Sequence, residues 1–202
     1  MRLIGATLLL LISLPLLADN QKTLLVLGDS LSTGYGIAED DGWVSLLQHK
    51  LADEQPQWHA VNASISGETS DGGLRRVDKL LADHDPELVL LQLGGNDGLR
   101  GFPHDETREN LSQIIQRSKE AGAEVLILGI QLPPNYGRRY TEEFARQFHD
   151  LADSYQVALL PFMLEGIYDQ QGMMQSDDIH PTAKAQPLIL ENVWGPLKPL
   201  LD

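Results

Sequence analysis

Short leucine-rich or β-branched runs alternate with segments of helical period along this chain of 202 residues. That alternation predicts an α/β domain in which a parallel sheet lies between layers of helices. Two further observations point the same way. The runs Leu88–Leu93 and Val125–Ile130 are nearly all apolar, as strands covered on both faces must be. No repeat, low-complexity tract or long linker interrupts the pattern, so a single domain over residues 19–202 is expected.

Residues 1–18 stand apart: Arg2 is the only charge, and an apolar run continues through Leu17. This is the pattern of a signal peptide with cleavage after Ala18, and it is short for a bilayer span, which needs ~20 apolar residues. The first strand is expected at Thr23–Leu27, followed by a helix with Trp43, Leu46, Leu47 and Leu51 on one face. A second strand at His59–Ala63 leads to a helix carrying Leu74, Val77 and Leu81. After the third strand, Leu88–Leu93, comes a helix with Leu111, Ile114, Ile115 and Ser118, stopped by Gly122. The fourth strand, Val125–Ile130, is followed by a helix with Tyr140, Phe144, Phe148 and Leu151 inward, and Val157–Leu160 is the fifth strand. Pro181 is expected to open a last helix bearing Leu188, Ile189 and Val193, with Pro187 kinking or interrupting it.

The net charge of −14 argues against a nucleic-acid partner, because phosphate neutralisation needs clustered Lys and Arg. It equally disfavours electrostatic docking on anionic membrane. The absence of cysteine excludes disulfides, thiolate chemistry and Cys-ligated metals, and is compatible with export to a periplasm. The histidines His49, His59, His84, His104 and His149 show no ligand spacing, so no metal is expected.

Four short segments carry the chemistry: Gly28-Asp29-Ser30-Leu31-Ser32, Ser66-Gly67-Glu68-Thr69, Gly94-Gly95-Asn96-Asp97 and Asp177-Asp178-Ile179-His180-Pro181. The first three follow successive strands, hence lie on the carboxyl rim where open α/β sheets bind ligands. Ser30 is the nucleophile candidate, at a strand-to-helix turn, although Asp29 and Ser30 also suit a plain helix cap. It is not the G-x-S-x-G elbow, since Ser32 stands where the last Gly belongs. His180 is the base, and Asp177, three residues before it, is better spaced than Asp178 to hold the nearer ring nitrogen. Oxyanion donors are the Ser30 and Gly67 amides and the Asn96 side chain, with a glycine at 67 expected because backbone approaches substrate too closely for a Cβ. Asp97 reads as a brace for its loop. Leu132 and Pro133, beyond the fourth strand, are candidates for an acyl groove, and Arg138 and Arg139 for pairing with Glu142 and Glu143.

In these blocks the chain resembles the SGNH (GDSL) hydrolases, through Ser30, Gly67, Asn96 and His180 with Asp177. Within that family it is most similar to bacterial secreted thioesterase I, lysophospholipase and arylesterase members, from about Thr23 to the C-terminus. The resemblance implies a flavodoxin-like three-layer α/β/α domain with a five-stranded, mostly parallel sheet and no cofactor or metal. It also implies a Ser-His-Asp hydrolase acting on acyl thioesters, aryl or short-chain esters and lysophospholipids. The segment Gly98-Leu99-Arg100-Gly101-Phe102 resembles the family's mobile loop over the acyl chain, which makes Gly98, Leu99, Arg100 and Phe102 substrate-binding candidates. The expected partners are small acyl substrates alone, with the mature enzyme a periplasmic or secreted monomer. A carbohydrate O-deacetylase and a non-catalytic lipid-binding module on the same fold are the alternatives. The Leu- and Pro-rich rim disfavours the former and the intact Ser–His–Asp set the latter.

Overall fold

The computed structural model describes residues 21–202, and the segment read as a signal peptide lies outside them. Strand β1 (Lys22–Gly28) is the second strand of a five-stranded sheet whose order is β2-β1-β3-β4-β5, with β2 spanning Trp58–Asn62, β3 Leu88–Gln92, β4 Glu124–Leu128 and β5 Ala158–Leu160. All four pairings are parallel, so the mostly parallel sheet expected from sequence is parallel throughout. The apolar runs sit where two-sided burial demands them: all of β3 is buried, and all of β1 after Lys22. The edge strands β2 and β5 are largely half-buried.

The helices are α1 (Ser30–Thr33), α2 (Trp43–Glu54), α3 (Ser70–His84), α4 (Gly95–Leu99), α5 (His104–Glu120), α6 (Arg138–Tyr155) and α7 (Gln186–Leu197). Helices α3, α5 and α6 pack side by side in one layer, and α2 and α7 pair in the other. The predicted apolar faces are the buried ones: Trp43, Leu47 and Leu51 in α2, Val77 and Leu81 in α3, Leu111, Ile114 and Ile115 in α5, and Phe144, Phe148 and Leu151 in α6. No helix among the described residues is long and apolar enough to cross a membrane.

The last helix corrects one expectation. Pro181 does not open it; Pro181 is bridged to Met174 in an isolated antiparallel pair. Helix α7 begins at Gln186, with Pro187 in its first turn, where the missing N–H has no intrahelical acceptor to lose. Pro187 therefore starts the helix instead of kinking it.

Strand order places the site. From β1 the chain crosses to β2 on one side, then returns past β1 to β3 and continues outward on the other. The direction reverses between β1 and β3, and the connections leaving their carboxyl ends diverge into opposite layers, opening a crevice at the switch point. Ser30 follows β1 and Asn96 follows β3.

Candidate active site

Ser30 is the first residue of α1, and Asp29 caps that helix by accepting the Leu31 N–H on Oδ1 at 3.0 Å. The His180 Nε2 lies 2.9 Å from Ser30 Oγ although 150 residues separate them. Its other ring nitrogen, Nδ1, is 2.7 Å from Asp177 Oδ2. Asp177 Oδ1 also accepts the backbone N–H groups of Ile179 and His180, each at 3.0 Å. Partial burial pushes the Asp177 carboxyl up, but these hydrogen bonds outweigh it and hold the group at about 2. A carboxylate ionised throughout the working range fixes the imidazole tautomer and stabilises the imidazolium. Asp178 hydrogen-bonds neither ring nitrogen; its left-handed backbone (φ 56°) turns the chain between the two residues that do meet.

The three N–H donors expected to serve an oxyanion are those of Ser30, Gly67 and the Asn96 side chain. As the opening residue of its helix, Ser30 has an N–H that donates to nothing among the described residues, and the same holds for Gly67. Asn96, in the first turn of α4, donates one amide hydrogen to Asp29 Oδ2 at 3.3 Å, which leaves the second available. The Gly67 turn is tied to the end of β1 by the Ile65 N–H to Gly28 carbonyl bond at 3.0 Å, and to α1 by the hydroxyls of Ser66 and Thr33, 2.7 Å apart. Its φ of 79° is what requires glycine. Among the protein's own atoms a Cβ there would meet only Arg100 Nη2, at 3.7 Å, so the room the sequence reading reserved at Gly67 is room that substrate, not protein, would fill.

Asp29 does more than cap. Its Oδ1 also accepts from Gln92 Nε2 at 2.9 Å, while Gln92 Oε1 accepts from the Asp29 N–H at 3.2 Å and the Ser32 hydroxyl at 2.6 Å. Gln92 can do this because it pairs in register with Gly28. Burial raises the Asp29 carboxyl to about 6, against the lowering effect of the Leu31, Gln92 and Asn96 hydrogen bonds and of His180. Asp97 is the brace expected of it: its carboxylate accepts the Ser70 hydroxyl and N–H at 2.5 and 2.9 Å, locking α4 to the start of α3.

Beside Ser30 opens a cavity of about 210 Å³ walled by Leu99, Ile130, Leu132, Pro133, Phe162 and Leu164. Of the substrate-binding candidates, Leu99, Leu132 and Pro133 face it and Gly98, Arg100 and Phe102 do not. Gly98 is buried beneath the cavity wall, Arg100 donates to the Gly67 carbonyl at 2.9 Å, and the chain turns at Gly101 to carry Phe102 to a separate depression beside Asp71 and Asp105. Arg138 and Arg139 pair with Glu142 and Glu143 one turn on.

Sequence reasoning missed Gln92 and three residues that line the cavity, Phe162, Leu164 and Tyr168. Gln92 was detectable as the single polar residue in an apolar strand run. The others follow β5, so the carboxyl-rim rule that located Ser30 applies to them too.

Comparisons with known proteins bear on the family and the fold. The model of the GDSL-like lipase/acylhydrolase family matches residues 26–187. The chain is 55% identical over 180 residues to the esterase TesA of Pseudomonas aeruginosa, across 89% of this chain and 90% of that protein. It is 47% identical over 194 residues to the thioesterase 1/protease 1/lysophospholipase L1 of Escherichia coli, across 96% and 92%. The crystal structure of the psychrotrophic esterase EstA from Pseudoalteromonas sp., inhibited by monoethylphosphonate, superposes with a TM-score of 0.85 at 43% identity, covering 89% of this chain and 98% of that one.

Proposed function

The chain belongs to the GDSL-like lipase/acylhydrolase family, and we propose that it is a serine esterase and thioesterase that hydrolyses acyl esters, acyl thioesters and lysophospholipids through an acyl-enzyme. The observation that carries this reading is the alignment of Ser30 Oγ, His180 Nε2 and Asp177 at 2.9 and 2.7 Å beside an apolar cavity. Ser30 Oγ attacks the carbonyl carbon as its proton passes to His180 Nε2. The carbonyl π electrons move to oxygen, and the Ser30 and Gly67 N–H groups and the free Asn96 amide hydrogen bind that oxyanion. Collapse expels the alkoxide or thiolate, which takes the proton back from His180. Water then repeats the sequence on the acyl-serine and releases the carboxylic acid. With residues 1–18 read as a signal peptide, the mature enzyme works in the periplasm or outside the cell.

The cavity wall gives the acyl group its selectivity. Each methylene buried there contributes ~0.8 kcal/mol, or about fourfold in kcat/KM per CH₂ until the cavity is full. The same apolar lining disfavours a sugar O-acetyl substrate. A panel of p-nitrophenyl and thioester substrates of rising acyl length tests this: turnover should climb with length and then level, and Ser30→Ala should abolish it on every substrate. Turnover retained by Ser30→Ala, or a preference for acetyl over all longer chains, would overturn the proposal.

A further inference from the structure

We propose that Gln175 is a positioning residue that holds His180 against Ser30, acting from outside the set of groups that touch substrate. The inference rests on the catalytic reading above. Ser30 and His180 come from opposite ends of the chain, and the segment carrying His180 is a loop, residues 176–182, with no strand or helix of its own. Asp177 cannot fix the distance to Ser30, because it rides on that same loop. Something must fasten the loop to the nucleophile's side of the crevice.

Gln175 makes that connection with both backbone and side chain. Its N–H donates to the His180 carbonyl at 2.7 Å, and its Nε2 donates to the Pro181 carbonyl at 3.0 Å. The same Nε2 donates to the Tyr35 carbonyl at 2.7 Å, and Tyr35 lies two residues beyond α1, which Ser30 opens. One amide nitrogen thus joins the residue after the base to the loop after the nucleophile. Tyr35 also lays its ring against the imidazole, with centroids 4.5 Å apart. Around this point the loop is closed by the Met174–Pro181 bridge and by the Thr182 N–H to Met173 carbonyl bond at 2.7 Å. Gly36 makes room for the clamp: a Cβ there would stand 2.5 Å from Gln175 Oε1.

Losing the side-chain bonds frees the loop to drift while leaving the Asp177–His180 pair intact within it. A displacement of ~1 Å at the reacting atoms costs on the order of 10²-fold in rate. Gln175→Ala should therefore lower kcat ten- to a hundredfold at unchanged KM and slow phosphonate inactivation in parallel. The midpoint of the acid limb of the pH–rate profile should stay in place, because Asp177 still holds the ring. Gln175→Met, similar in length and without donors, should do the same and serves if the alanine variant fails to fold. Wild-type kcat and inactivation rate in a folded Gln175 variant, or a loss seen only as a lowered Tm, would overturn the proposal. Failure of the wild-type enzyme to react with the phosphonate would instead overturn the catalytic reading.

Discussion

Asp29→Asn separates the stability of the folded chain from the working of its active site. Asp29 is buried and its carboxyl is raised to about 6 from an unfolded value of 3.8. A carboxyl with a higher pKa when folded binds its proton more tightly in the native state, so native stability grows as pH falls through about 6 and stops growing below about 3.8. The gap of about two pKa units is worth about 3 kcal/mol in full, of which about half is present at pH 5. Asparagine does not titrate, so the difference in unfolding free energy between wild type and Asp29→Asn should change by about these amounts from pH 8 downward, while the titrating groups not coupled to Asp29 cancel. Trp43, Trp58 and Trp194 are all buried and report urea unfolding by fluorescence. Activity moves separately. Oδ1 must remain an oxygen, since it accepts from Leu31 and Gln92, so the new NH₂ group faces the Asn96 amide and removes its acceptor. A fall of about 10- to 100-fold in kcat follows, below the ~10²–10³ cost of deleting an oxyanion donor outright. A pH-independent stability difference between pH 7.5 and 4.5 would refute the buried, proton-loving Asp29.

Asn96→Ala should lower kcat by ~10²–10³ with little change in KM, as expected for a contact made in the transition state. Asp177→Asn should lower kcat by ~10²–10⁴. It should also remove a stability contribution that the wild type keeps above about pH 4 and loses on acidification towards pH 2, read by acid unfolding. Gly98→Ala puts a Cβ 2.7 Å from Phe144 and 2.8 Å from Leu132. Overpacking of this kind costs ~1–3 kcal/mol, and because Leu132 walls the cavity the preferred acyl length should shorten along with the drop in Tm.

The sheet was legible because burial on both faces leaves an unbroken apolar signature, which Leu88–Leu91 and Val125–Leu128 carry plainly. Helix faces were legible for the same reason of period. The catalytic blocks were readable because the carboxyl-rim rule converts distance in sequence into proximity, as with Ser30 and Asn96. What escaped was side-chain reach. Nothing in the spacing says that Gln92 turns toward Asp29, or that the chain bends at Gly101 and takes Phe102 away from the cavity that Leu99 lines. Pro181 misled because a proline after a turn suits a helix start as well as a bridge. Only the Met174 pairing decides between them. The positive φ at Gly67 was likewise hidden, since a glycine wanted for conformation and one wanted for room look alike in one sequence.

The central claim is that Ser30 is a nucleophile activated by His180, and covalent trapping tests it most directly. Treatment with an aryl alkylphosphonate followed by peptide mass spectrometry should place one phosphonyl group on Ser30, with stoichiometric loss of activity. Labelling should vanish in Ser30→Ala and slow at least a hundredfold in His180→Ala. An unlabelled Ser30, or an adduct on another residue with equal loss of activity, would contradict the account.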